Sequence, residues 1–270
     1  MSDLALGPHP EHHADSGRVD RSGATAVLTM VGRCVRMSSR DAEALTMALM
    51  LPIMMMVMFV YLFGGAIHTG TAYVTYVVPG VLLLCAGFGA ASTALTVSRD
   101  LTGGIADRFR SMDLGGGSIL TGHVAASLAR NVVSTAVVFG VAFAIGFRPR
   151  ADPLEWLAAV GVLLLFVLAL SWFSAMFGVL LRSPDAAGGF GFIVSFITYP
   201  SSAMVPIDTM PGWLQGFARN QPVTPVIETL RGLLLDQPIG SAGIKAVVWS
   251  LGITLVCATA AGFAFRRRTG

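Results

Sequence analysis

The sequence predicts an all-α, polytopic membrane protein with six transmembrane helices, an N-terminal surface helix and an extracellular helical hairpin before the last span. Three observations predict this. Of the 270 residues, 54% are hydrophobic and only 12% are charged, with a mean hydropathy of +0.72; an ordinary soluble domain is roughly 25% charged. No Asp, Glu, Lys or Arg occurs at residues 44–98. One crossing takes about 20 apolar residues to cover about 30 Å of hydrocarbon, so that run holds two. Further uncharged runs at 131–147, 156–181, 186–207 and 246–265 supply the other four.

Residues 1–25 are rich in Gly, Pro, His, Asp and Ser and have few bulky apolar side chains. Such a segment cannot offset the entropy of ordering, which makes it a disordered cytoplasmic tail. Its His9, His12 and His13 have no Cys or carboxylate held in fixed geometry beside them, so no metal site is expected. Residues 26–44 form an amphipathic surface helix: Val27, Leu28, Val31, Val35 and Met37 alternate with Arg33, Arg36, Arg40 and Asp41. Its basic side suits anionic headgroups or a partner protein. Residues 45–270 make up the six-span domain.

The first span, 45–67, carries Met47, Met50, Met54, Met55, Met56 and Met58. These flexible side chains serve lipid contact, core packing or a substrate path. Gly64, Gly65 and residues 68–71 make the turn into the second span, 73–97. There Gly80, Gly87, Gly89, Ala90, Ala91 and Ala94 allow close helix packing.

Between spans two and three, Leu101, Ile105, Phe109 and Met112 share one helical face, while Asp100, Asp107, Arg108, Arg110 and Ser111 fall largely elsewhere. This is a short interfacial helix ended by Gly115, Gly116 and Gly117. It either floats on the membrane or docks a cytoplasmic partner. After span five, Tyr199 and Pro200 mark where regular helix fails. Met210, Trp213, Leu214 and Phe217 follow an i, i+3, i+4, i+7 pattern, and Val226 or Ile227, Leu230, Leu233 and Leu234 repeat it after a break at 220–222. The second of these helices has Thr224 as its expected N-cap and Pro225 at its first position. Glu228 and Arg231, three apart, are a candidate ion pair, and Trp213 suits a membrane interface.

Orientation follows the positive charges. With both termini in the cytoplasm, Arg18, Arg21, Arg33, Arg36, Arg40, Arg99, Arg108, Arg110, Arg182, Arg266, Arg267 and Arg268 lie inside. Only Arg148, Arg150, Arg219, Arg231 and Lys245 lie outside, with Asp152 and Glu155 beside the first two. Residues 1–25 contain no apolar h-region, so the first span targets the chain to the cell membrane. Cys34, Cys85 and Cys257 are read as free thiols, since none is placed to close an outer loop.

Several chemistries are excluded. A phosphate-cradling loop ends in Lys followed by Ser or Thr, whereas the single lysine, Lys245, stands between Ile244 and Ala246. The spans contain no carboxylate for proton coupling, and His123 and Arg130 are expected to reach toward the inner surface. No Gly-x-Ser-x-Gly elbow or His-Glu-x-x-His motif accompanies His123. No catalytic residue, bound cofactor or nucleic-acid partner is therefore expected.

The stretch 104–112, Gly-Ile-Ala-Asp-Arg-Phe-Arg-Ser-Met, and the run 210–215, Met-Pro-Gly-Trp-Leu-Gln, followed by Asn220-Gln221-Pro222-Val223-Thr224 and Leu230-Arg231, give the chain a resemblance. It resembles the ABC-2 type exporter permeases, and within them the daunorubicin-resistance branch. The resemblance implies a permease whose two copies bind two copies of a separate ATP-binding subunit, with ATP held by that partner. It also implies that Leu101, Ile105, Arg108, Phe109, Arg110 and Met112 dock the motor. Asp113 and Leu114 stand where the family usually has Pro-Ile or a similar pair. The apolar, Met-rich spans suit a hydrophobic or amphipathic cargo; the alternative is a membrane scaffold that moves nothing.

Overall fold

The computed structural model describes residues 42–67, 72–103, 116–181 and 183–269. The expected tail, most of the surface helix and five of the six docking residues, Ile105, Arg108, Phe109, Arg110 and Met112, lie outside these segments. Among the described residues the elements are all helical. Helix α1, Ala42–Met58, runs into a π-helical turn at Phe59–Phe63. It is followed by α2, Tyr73–Thr102, α3, Gly116–Ala144, and α4, Pro153–Leu180. The rest are α5, Pro184–Phe196, α6, Gly212–Asn220, α7, Val223–Leu235, and α8, Ala242–Thr269.

Four of these, α2, α3, α4 and α8, are long and apolar enough to cross a membrane. The protein is a multi-pass membrane protein. Helix α1 contributes a shorter apolar stretch, Leu49–Phe63. Helix α5 has 13 residues, about 20 Å at 1.5 Å per residue and short of the ~30 Å core.

Helix α2 is the axis of the bundle. In its most apolar window 83% of residues are buried, against 33%, 39% and 22% in α3, α4 and α8. The other three therefore keep a face for lipid, while α2 is enclosed by α1, α3, α4, α5 and α7. Small residues permit this enclosure. A Cβ at Gly80 would fall 2.7 Å from Ala203 backbone atoms, and one at Gly178 of α4 would fall 2.7 Å from the Ala94 carbonyl oxygen. The methionines of α1 divide accordingly: Met56 is fully buried in the main core, whereas Met50 and Met54 are exposed.

Helix α5 stops close to where Tyr199 and Pro200 predict. The chain then runs as irregular turns through Ser201, Ser202, Ala203 and Met204, all buried. Non-helical backbone is tolerated at such depth only when protein encloses it. Helix α7 sits beside these turns, almost wholly buried against α2, α4 and α8. It begins two residues earlier than the sequence predicts, with Pro222 at the cap position and Val223 as its first residue. Thr224 is thus not the N-cap: it lies in the first turn, buried, with no partner for its hydroxyl. The proline in the Asn220–Pro222 break sets the start instead, since it lacks an N–H and is favoured where a helix begins. At the other end Asp236 adopts φ 53°, and the Asp236 and Gln237 amides both donate to the Gly232 carbonyl, a left-handed cap.

The link from α3 to α4 is closed by its charged residues. Arg148 donates to the Phe143 and Phe147 carbonyls at 3.1 and 3.0 Å, satisfying the end of α3. Asp152 and Glu155 form a reciprocal capping box: the Glu155 amide donates to Asp152 at 2.7 Å and the Asp152 amide to Glu155 at 2.9 Å. The Arg150 amide donates to the Leu234 carbonyl, tying this loop to α7.

Candidate functional site

Two ends of the bundle hold polar groups in defined arrangements. At the end carrying α6 and α7, three side chains satisfy the carbonyls of the broken stretch after α5. Gln221 donates to the Pro200 carbonyl at 2.5 Å, Arg231 to Ser202 at 2.8 Å and the Tyr73 hydroxyl to Met204 at 2.9 Å. Arg231 also donates to the Tyr76 carbonyl at 3.2 Å, and its guanidinium carbon lies 3.7 Å from the Tyr76 ring centroid. One side chain of α7 thereby joins α2 to the irregular turns.

The sequence-predicted pair between Glu228 and Arg231 does not form. Glu228 acts on Arg231 only as a nearby charge. The reason is competition: carbonyls left open by the broken helix lie within reach of the guanidinium fork, and hydrogen bonds from a charged donor contribute about 1.5–3 kcal/mol each. Burial pushes the Arg231 pKa below its ordinary value, while Tyr76 and Glu228 oppose that shift.

Beside this clamp lies a cavity of about 590 Å³. Arg219, Arg231 and Lys245 face it, as do Asp208 and Glu228. Arg219 pairs with Asp208 at 2.5 Å across the mouth. Although its side chain reaches solvent at the rim, Glu228 is desolvated by the surrounding protein, which raises its carboxyl pKa; Arg231, Lys245 and Arg219 partly counter this. Two buried hydroxyls among the lining residues, Ser202 Oγ and Thr224 Oγ1, have no protein partner. On α6, Trp213 and Phe217 are 81% and 53% exposed, placing two large apolar rings outside the bundle as interfacial anchors would be.

At the opposite end, Leu101 lies in the last turn of α2 and packs against a second apolar cluster that includes Val97, Leu120 and Phe265. Next to it Asp100 pairs with the buried His123 of α3 at 3.1 Å. Deeper in the bundle, Arg130 does not extend to the surface as the sequence predicts. Its guanidinium donates to the Gly89 carbonyl and the Thr93 hydroxyl of α2, both at 3.3 Å. Gly89 also admits the neighbouring Asn131, whose side chain a Cβ there would overlap. Asn131 and Ser171 in turn bond Ser127, extending a buried polar seam between α2, α3 and α4.

The sequence reading of the hairpin thus found Arg231 but missed its partners. Those partners, the Tyr76 ring and carbonyl and the Ser202 carbonyl, carry no motif, and neither does the Tyr73 contact to Met204; the one signal was that a helix failing at Pro200 leaves carbonyls to satisfy.

The model of the ABC-2 type transporter family matches residues 25–235. The chain belongs to the ABC-2 type transporter family. Among its relatives is the daunorubicin resistance ABC transporter permease protein DrrB1 of Streptomyces coeruleorubidus, 28% identical over 236 residues, 87% of this chain and 81% of that one. The probable doxorubicin resistance ABC transporter permease protein DrrC of Mycobacterium tuberculosis is 26% identical over 242 residues, 89% of this chain and 88% of that one. In this ABC-2 type transporter the matched region takes in the clamp: it reaches from before α1 to the last residue of α7.

Proposed function

We propose that this chain is the permease subunit of an ABC exporter that moves a hydrophobic or amphipathic compound, drug-like or lipid, out of the cytoplasm. The family match across residues 25–235 carries this reading, in a sequence whose single lysine, Lys245, sits in no phosphate loop. A separate ATP-binding cassette subunit supplies the energy, and this chain has no ATPase site of its own. The named relatives, permeases of daunorubicin and doxorubicin resistance, support a drug-like cargo.

The chain crosses the cell membrane six times with both termini in the cytoplasm. Helix α1 and helix α5 are the first and fifth crossings, the latter completed by the buried turns through Met204. The hairpin of α6 and α7 then faces outward and the Asp100 end faces inward. Two copies pair as a homodimer. Exposed apolar side chains on α1, on the π-helical turn after it and on α5, such as Met54, Tyr61 and Phe196, at 61%, 72% and 64%, are available to lipid or to that second copy. The face formed by Leu101, Ile105, Arg108, Phe109, Arg110 and Met112 docks the motor. Because Asp100 and His123 join α2 to α3 beside that segment, a push on it reaches both helices.

Coexpression with a cognate ATP-binding subunit, followed by reconstitution in vesicles, tests the reading. ATP-dependent export of a fluorescent amphipathic dye is expected, and a partner with an inactivated phosphate loop should abolish it. Phe109→Ala and Arg108→Ala should leave ATPase activity but lose transport. Failure to form a complex or to export anything would overturn the permease assignment, and normal coupling in both variants would overturn the docking assignment.

A further inference from the structure

We propose that the cavity beside the Arg231 clamp is a binding site for a singly anionic head group, a phosphodiester or a carboxylate, carried on an apolar tail. The charge balance of the lining points to this. Arg219 and Asp208 neutralise each other by direct contact, leaving Arg231 and Lys245 against Glu228, a surplus of one positive charge. Among the described residues the Lys245 ammonium has no ion-pair partner within 4.0 Å. Arg231 is held on backbone carbonyls, which leaves its charge uncancelled.

In the same lining, the hydroxyls of Ser202 and Thr224 are buried without protein partners. A buried polar group left unmatched costs about 1–3 kcal/mol, so an oxygen-rich ligand or water is favoured beside them. The tail follows from what surrounds Lys245. It stands in the first turn of α8, and Ile244 and Val248, an i, i+4 pair that is 72% and 64% exposed, run along one flank of it. A cation beside an exposed apolar stripe at a helix end can hold an anionic head while the tail lies along the stripe.

The site rests on the permease reading only in placing the hairpin end outward. Its ligand is either a phospholipid of the outer leaflet or an amphipathic acid in transit. Binding is measured on the full chain in nanodiscs without ATP or partner, so its failure leaves the transport assay untouched, and failed transport leaves the binding result standing. One arm uses native mass spectrometry to count phosphatidylglycerol retained from discs that also contain phosphatidylcholine. The other titrates dansyl-undecanoate into phosphatidylcholine discs and follows its fluorescence.

Retention or saturable binding in either arm identifies the source. In that arm Lys245→Gln should weaken binding about tenfold, Lys245→Arg should retain it, and Glu228→Gln should strengthen it by removing the opposing charge. Both Lys245 and Glu228 are exposed, so these variants leave the fold intact. Binding of neither probe, equal binding of a dansyl amine analogue, or unchanged affinity in Lys245→Gln overturns the proposal.

Discussion

The Arg231 guanidinium stacks 3.7 Å from the Tyr76 ring centroid while bonding the Tyr76 carbonyl of the same residue, so α7 grips α2 through face and backbone together. A third contact, to the Ser202 carbonyl at 2.8 Å, brings in the broken stretch after α5. Arg231→Ala should therefore destabilise the protein by about 2–4 kcal/mol, the range for losing charge-assisted bonds and a cation–π contact. Arg231→Lys should recover only part of that, since a point charge cannot fork between two carbonyls. Thermal unfolding of the purified chain in nanodiscs checks both values; a fully stable Arg231→Ala would refute the clamp.

Gly80 meets Ala203 so closely that any side chain must displace backbone. Gly80→Ala is expected to cost about 1–3 kcal/mol by overpacking. Gly65→Ala has nothing within 4 Å of the added Cβ and should be close to neutral. The same unfolding measurement on the two variants separates a packing effect from a general intolerance of alanine.

Asp100→Ala removes the partner of a buried His123. Loss of that acceptor should cost about 1–3 kcal/mol. If the inner loop transmits motion through the pair, the number of ATP molecules hydrolysed per dye exported should rise as well. An unchanged stoichiometry in the reconstituted complex would restrict the pair to a structural role.

The capping box at the start of α4 predicts a coupled pair. Asp152→Ala should cost about 1 kcal/mol, and adding Glu155→Ala should cost less than the sum of the single changes. A double-mutant cycle on the unfolding free energies measures this, and full additivity would refute reciprocal capping.

Glu228 has a raised carboxyl pKa because it is desolvated. The folded state then holds this proton more tightly than the unfolded chain does. The contribution of Glu228 to stability is accordingly greatest below the ordinary carboxylate range and declines as pH rises through the raised value. Glu228→Gln should flatten that decline. Unfolding temperatures recorded from acid to neutral pH are the check, and a slope that persists in Glu228→Gln would assign it to another group.

Much of the molecule was legible in the sequence because lipid imposes a simple rule: long uncharged runs must become helices. Residues 44–98 and the later apolar runs marked the positions of the helices, and Pro200 marked where α5 fails. The hairpin at 210–215 and 220–231 was readable from periodicity and from family resemblance. Tertiary structure alone decided which helix lies at the centre, since all the spans are apolar but only α2 has Gly80 and Gly89 set against Ala203 and Asn131. It also decided the partners of Arg231 and Arg130. Local spacing offered Glu228 and the membrane surface, whereas the fold brought backbone carbonyls of distant segments within hydrogen-bond reach. Periodicity assigns a residue to a face; it carries no information about which carbonyls a broken helix, many residues away, leaves open in front of that face.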